Sequence, residues 1–161
     1  MSKNVFISGS ISIGKLPKNA IAKLDSIIEK QISVLVGDAK GVDLQVQKYL
    51  LKRSYNNVLV YYAGQNIRYN VGNWKTRHIN ADTHTKGREL YTKKDKAMAY
   101  DTDYGLMIWD GQSKGTRNNI TYMKELRKKF FVIIENMLIS DNQVDSFLNI
   151  SNSIAEQPSL F

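Results

Sequence analysis

Short apolar runs recur along this chain, most of them followed by a loop of glycine, serine or aspartate and then by a segment of helical period. Few folds accommodate that alternation. The runs are Val5 to Ser8, Ser33 to Val36, Val58 to Tyr62, Tyr104 to Trp109 and Phe130 to Ile134. They are continuously apolar rather than alternating, as strands covered on both faces must be. The intervening segments carry helical stripes: Leu24, Ile27 and Ile28; Val42, Val46, Tyr49 and Leu50; Ile120, Met123 and Leu126. The third stripe runs into Arg127-Lys128-Lys129, cations suited to a helix C-terminus. Further helices are expected over about Tyr91 to Tyr100 and near Val144 to Leu148. Strand, helix and strand in succession build parallel pairs, so the expected fold is three-layered α/β, a mainly parallel five-stranded sheet with helices on both faces.

One stretch breaks the rhythm. From Gly64 to Leu90 neither period is sustained, and the segment holds Trp74, both histidines and Glu89. It reads as a long loop or lid over a site, with a missed short helix as the ordinary alternative. With 161 residues, 42% of them hydrophobic, the chain suits one domain, taken as residues 1–150. The polar Ser151-Asn152-Ser153 then opens a tail, 151–161, expected to be flexible.

Several chemistries are excluded by residue type. The chain has no cysteine, which removes disulfides, thiolate metal clusters and thiol nucleophiles, and two histidines make no metal site unaided. No metal and no resident cofactor is therefore expected. No apolar run reaches membrane-spanning length and the start of the sequence lacks an export signal, so a cytoplasmic protein with no membrane partner is expected. The net charge of +8 favours polyanions, whether nucleic acid or phosphorylated metabolites.

In an open parallel sheet ligands lie beyond the carboxyl ends of the strands. Three loops there are glycine-rich: Ser8-Gly9-Ser10-Ile11-Ser12, Gly37-Asp38-Ala39-Lys40-Gly41-Val42-Asp43, and Asp110-Gly111-Gln112-Ser113-Lys114-Gly115-Thr116. Glycine lets backbone amides approach an anion, and the helix that follows presents free N–H groups. Phosphate is expected at Gly9, Ser10, Gly111, Gly115 and Thr116, with charge from Lys40 and Lys114. Thr116 would cap its helix or donate a hydroxyl. Asp43 is either a dipole-stabilising first-turn carboxylate or an acceptor for ribose hydroxyls, and Asp110 and Asn119 are further candidates for ribose or base. Asp95 stands among lysines as a solvated helix face or a site residue. Trp74 and Trp109 belong either to the core or against a base.

These loops resemble the SLOG superfamily, Rossmann-like proteins that include the LONELY GUY phosphoribohydrolases, the Smf/DprA proteins and the YspA-like family. The resemblance spans roughly Val5 to Ile134. It is carried by Ser8-Gly9-Ser10, by Gly37 through Asp43, which looks like the YspA-type pattern, and by Gly111 through Thr116, which looks like the phosphate loop of LONELY GUY proteins. It implies a Rossmann-like fold, a nucleotide-derived ligand and association into a homodimer. Enzymes of the group cleave N-glycosidic bonds with a glutamate two or three residues after their Gly-Thr turn. Here Arg117-Asn118-Asn119 follows, and an amide cannot ionise. Catalysis would have to borrow Glu89, Asp43 or Asp95. Binding by a sensor or sequestering protein is therefore the favoured expectation, with a nucleotide N-glycosidase as the enzymatic alternative.

The chain ends Gln157-Pro158-Ser159-Leu160-Phe161. This resembles the peptide by which bacterial replication and repair proteins dock on the sliding clamp, with Gln157, Leu160 and Phe161 as anchors. The other reading folds Leu160 and Phe161 back onto the domain. Clamp docking with the positive charge suggests a DNA-associated protein, although no helix-turn-helix, zinc-finger or RNA-recognition signature is present.

Overall fold

The computed structural model describes residues 3–80, 84–146 and 148. In chain order the elements are β1 (Asn4–Gly9), α1 (Lys18–Glu29), β2 (Ser33–Gly37), α2 (Val42–Lys52), β3 (Val58–Ala63), β4 (Lys75–Ile79), α3 (Arg88–Asp101), β5 (Tyr104–Ile108), α4 (Lys114–Glu125), β6 (Lys129–Ile134) and β7 (Met137–Ser140). All five expected strands are present. They lie in one sheet of order β4-β3-β2-β1-β5-β6-β7, parallel throughout except for the β6–β7 pair.

The sheet thus has seven strands where five were expected. Both additions are edge strands. Lys75, Thr76, Arg77 and His78 of β4 are exposed, so this strand carries no apolar run to signal it. It pairs Leu59↔Lys75 through Ala63↔Ile79 against β3, and so places five residues of the expected 64–90 loop in the sheet. The β6–β7 connection is a two-residue hairpin over Glu135 and Asn136, with Ile134 opposite Met137 and Glu135 in the left-handed region at φ 53°. The third predicted stripe overran: α4 stops at Glu125, and Leu126 behind it is 40% exposed.

Helices cover both faces. Ala20, Leu24 and Ile27 of α1 and Val42, Val46 and Leu50 of α2 pack on Val5, Ile7, Val34, Val36 and Val60. On the other face Met98 and Ala99 of α3 and Ile120 and Met123 of α4 pack on Phe6, Leu35, Met107 and Val132. Successive side chains of one strand feed opposite cores, which is why these strands are apolar throughout. The two tryptophans are core residues. Trp74 donates its indole N–H to the Tyr55 carbonyl at 3.0 Å, and Trp109 donates to the Ser113 carbonyl at 2.9 Å.

The chain winds outward from β1 through β2, β3 and β4, then α3 carries it back to start β5 on the other side of β1. Strand order therefore reverses between β1 and β5, and the loops leaving those two strands part there to open a crevice.

Candidate functional site

The crevice holds a cavity of about 830 Å³, within the range of small-molecule sites. Three walls come from the three glycine-rich loops, through Ser8–Ser12, Ala39–Lys40 with Asp43, and Asp110 with Ser113–Thr116. The remaining wall is Arg68 with Gly87, Arg88, Tyr91, Thr92, Lys94 and Asp95, the last six on or just before α3.

The β1 and β5 loops are tied directly together. Ser10 donates its amide to the Ile108 carbonyl at 3.0 Å, its hydroxyl meets the Ser113 hydroxyl at 2.8 Å, and the same hydroxyl accepts the Asp110 amide at 3.0 Å. Ser12 donates to Asp110 at 2.7 Å. Asp110 also accepts the amides of Gln112 and Ser113 at 2.8 and 2.7 Å. Burial pushes its carboxyl up, but these amides and hydroxyls outweigh that and hold it below the usual range. Asp110 therefore shapes the turn that aims α4 at the cavity. Ser113 occupies the N-cap position, one of the two roles open to Thr116, while the buried Thr116 hydroxyl lies 3.3 Å from that of Ser113. The first turn of α4 has no preceding carbonyls to bind, and Lys114, Gly115 and Thr116 all line the cavity.

The glycines divide by role. A Cβ on Gly9 would stand 2.3 Å from the Ile108 carbonyl oxygen and 2.5 Å from Val42, so this residue exists for close packing of β1. Nothing lies within 4 Å of a Cβ built on Gly115. Gly37, Gly41 and Gly111 do not line the cavity, and neither does Asp38.

Asp38 is instead a structural anchor. It is fully buried, accepts the Arg68 amide at 2.9 Å and guanidinium at 2.7 Å, and lies 3.5 Å from Lys94 Nζ. Its burial acts to raise its pKa, yet the Arg68 bonds and the Lys94 charge leave it below the usual carboxylate range. Gln47 reinforces the strap, donating to the carbonyls of Gly37 and Tyr69 and accepting the Val71 amide. The segment after β3 is thereby pinned over the β2–α2 turn, and the Arg68 guanidinium lies 4.2 Å over the Tyr91 ring.

Lys94 was not anticipated. Its side chain is only 4% exposed, and it faces Asp38, Asp43 and Asp95, the last at 4.0 Å. A Cβ on Gly37 would meet Asp43 Oδ2 at 2.5 Å and Lys94 Nζ at 2.9 Å, so glycine is what admits both groups there. Asp43 accepts the Ala39 amide at 3.2 Å. Burial dominates its titration and pushes its carboxyl up to about 6, against the pull of Lys94. Burial also raises Asp95, opposed by Lys94 and by a hydrogen bond from Asn119. Both carboxylates thus line one cavity, and burial shifts each toward its protonated form. Glu89, the third candidate, is exposed and outside it.

Asn119 lines the cavity one helical turn beyond Thr116. It is 2% exposed and donates to the Ser8 hydroxyl at 2.7 Å, while its Oδ1 atom is buried without a partner. Among the described residues no cluster of histidine and carboxylates could hold a metal ion. No described helix is long and apolar enough to cross a membrane. The C-terminal anchors Gln157, Leu160 and Phe161 lie outside the described residues.

No family model matches this sequence, and no curated protein does. Among solved structures the chain is similar to DNA processing protein A from Helicobacter pylori, described for a single-stranded DNA binding mode. The match has a TM-score of 0.65 and 13% identity, covering 96% of this chain and 80% of that one. At that identity the likeness is one of fold, and it agrees with the Rossmann-like architecture.

Proposed function

We propose that this protein binds a phosphate-bearing, nucleotide-derived small molecule in the cavity at the β1/β5 crevice, as a sensor or sequestering protein. The observation that carries the reading is the first turn of α4. Lys114, Gly115 and Thr116 face a cavity of about 830 Å³ at the point where strand order reverses, beside the Ser10 and Ser113 hydroxyls. Free amides, the helix dipole and a lysine together favour an anion there. Lys40, Arg68 and Arg88 add positive charge to the walls.

The resemblance to the SLOG superfamily supports a nucleotide-derived ligand, and the fold of DNA processing protein A is consistent with that kinship. Asp43 and Asp95 keep N-glycosidic cleavage as the enzymatic reading, since they place protonatable carboxylates in the cavity although position 119 is an amide. A further reading, single-stranded nucleic acid, is favoured by the +8 charge and by the DNA-binding structural neighbour.

The deciding experiment is thermal unfolding against nucleoside monophosphates, NAD, ADP-ribose, cyclic nucleotides and a short single-stranded oligonucleotide. A ligand that binds only the folded state raises the melting temperature by mass action. A specific shift with a mononucleotide-sized ligand is expected, and chromatography of that mixture for free base tests for turnover. A shift with the oligonucleotide alone would overturn the small-molecule reading in favour of a nucleic-acid interface.

A further inference from the structure

The helices cover the sheet unevenly on its α1 side. There α1 and α2 pack over β1, β2 and β3, while α3, α4, Val144 and Leu148 lie on the opposite face. Beyond α1 the sheet continues through β5, β6 and β7, where the described helices leave an apolar groove. Tyr104, Phe131 and Leu138 point to this side, because they align in register with Val5, Leu106 and Ile133 of the α1-side core. Each is between 37% and 43% exposed. A cavity of about 270 Å³ opens between α1 and these strands, lined on its apolar side by Ile27, Leu106 and Phe131. Its rim carries Lys23, Lys30 and Lys129 against a single lining carboxylate, Asp141, and the Lys23 ammonium lies 4.3 Å over the Phe131 ring. An apolar floor within a cationic rim fits an apolar segment that brings no positive charge of its own.

We propose that this groove on the α1 side of β5, β6 and β7 is a docking site for the chain's own residues 149–161, with Leu160 and Phe161 as the anchors. Those residues, outside the described part of the chain, include Ile150, Ile154, Leu160 and Phe161, and their one charged side chain is Glu156. The charges are complementary, because the segment holds no lysine or arginine to oppose the three on the rim. Its reach is sufficient. The chain passes the groove wall at Asp141 and arrives at Leu148 no more than about 25 Å of contour later, whereas residues 149–161 extend up to about 43 Å. Leu148 packs on the opposite face, so the segment returns around β7, which is the edge of the sheet. Tethering supplies an effective concentration of the order of millimolar, at which a weak contact suffices. A second copy fits less well, since a two-fold contact through this face sets the three lysines against the same three. Docking in cis withholds Leu160 and Phe161 from any other partner that reads them. It is independent of what the β1/β5 cavity binds.

The test runs on the full chain. Ser159→Cys puts one thiol into a sequence that has none, so a nitroxide attached there broadens only the amide NMR signals that come near it. The groove amides, from Lys23 to Lys30 and at Phe131 and Ser140, are expected to broaden selectively and to the same degree at every protein concentration. Adding Leu160→Ser and Phe161→Ser removes the apolar anchors and should weaken the docking at least about tenfold, seen as recovery of those signals. Groove signals that stay sharp, or broadening that the two serines leave unchanged, would overturn the proposal. So would broadening that fades on dilution, which assigns the groove to a second copy. All three substitutions lie outside the described residues, so the result does not depend on the packed core tolerating a change.

Discussion

A lysine in a helix full of lysines gives no hint of burial, yet Lys94 holds the acidic side of the cavity together. On α3 it shares a face with Tyr91 and Met98, where the helical period calls for an apolar side chain, and that spacing was its one legible signal. The positions of Asp43, Ser10 and Gly115 followed from the sequence because each lies just after a strand. Asp95 was readable only as one of two alternatives, and Arg68 not at all, since it comes from a segment with no period. Removing one partner of a buried charge cluster leaves the others uncompensated, so Lys94→Met is expected to lose about 3 kcal/mol of stability in a denaturant titration. Asp43 predicts a pH effect of opposite sense to most carboxylates. Its folded-state pKa of about 6 lies above the ordinary aspartate value of 3.8, so folding favours the protonated form. The wild-type protein therefore loses stability from this group as pH rises from about 4 to 6, and Asp43→Asn removes that loss. Relative to wild type, the variant should gain of the order of 2 kcal/mol at pH 7.5 and show little gain at pH 4. A difference between the two proteins that does not change with pH would contradict the assignment.

At the scale of elements, what the sequence displays is burial. β1, β2, β3, β5 and β6 lie inside the sheet and appear as apolar runs, while of the edge strands β4 is polar and exposed and β7 offers only the three apolar residues Met137, Leu138 and Ile139, the first two exposed. Their stability comes from pairing with a neighbour that no local pattern reveals, which is why the 64–90 segment resembled a loop. The glycines show the same limit, because the sequence marks them alike and only the packing separates them. Gly9→Ala places a methyl group against the Ile108 carbonyl and Val42, and should destabilise by about 2 kcal/mol or more. In Gly115→Leu the Cβ meets no atom within 4 Å, and the change replaces a residue that costs about 1 kcal/mol within a helix. Its melting temperature should hold or rise, while phosphate affinity falls at least tenfold because the side chain covers the amides of α4. A Gly115→Leu protein with unchanged affinity would move the phosphate away from this helix.

For the whole molecule the open choice lies between a ligand that fills the cavity and a strand that crosses its rim, and the charge of +8 suits either one. Salt separates them, because each phosphate neutralised on a single strand contributes a slope of roughly −0.7 to log affinity against log salt. A mononucleotide engaging one phosphate at α4 should weaken only about threefold between 50 and 200 mM salt, by the same relation. A strand contacting four phosphates along Lys40, Arg68, Arg88 and Lys114 should weaken on the order of fiftyfold over that range. The cavity contains its own acidic wall, Asp43 and Asp95, which would repel a polyanion laid across it but accept the uncharged sugar of a single nucleotide. The shallow slope is accordingly the expected result for the natural ligand. A steep one would shift the binding surface from the cavity to its rim.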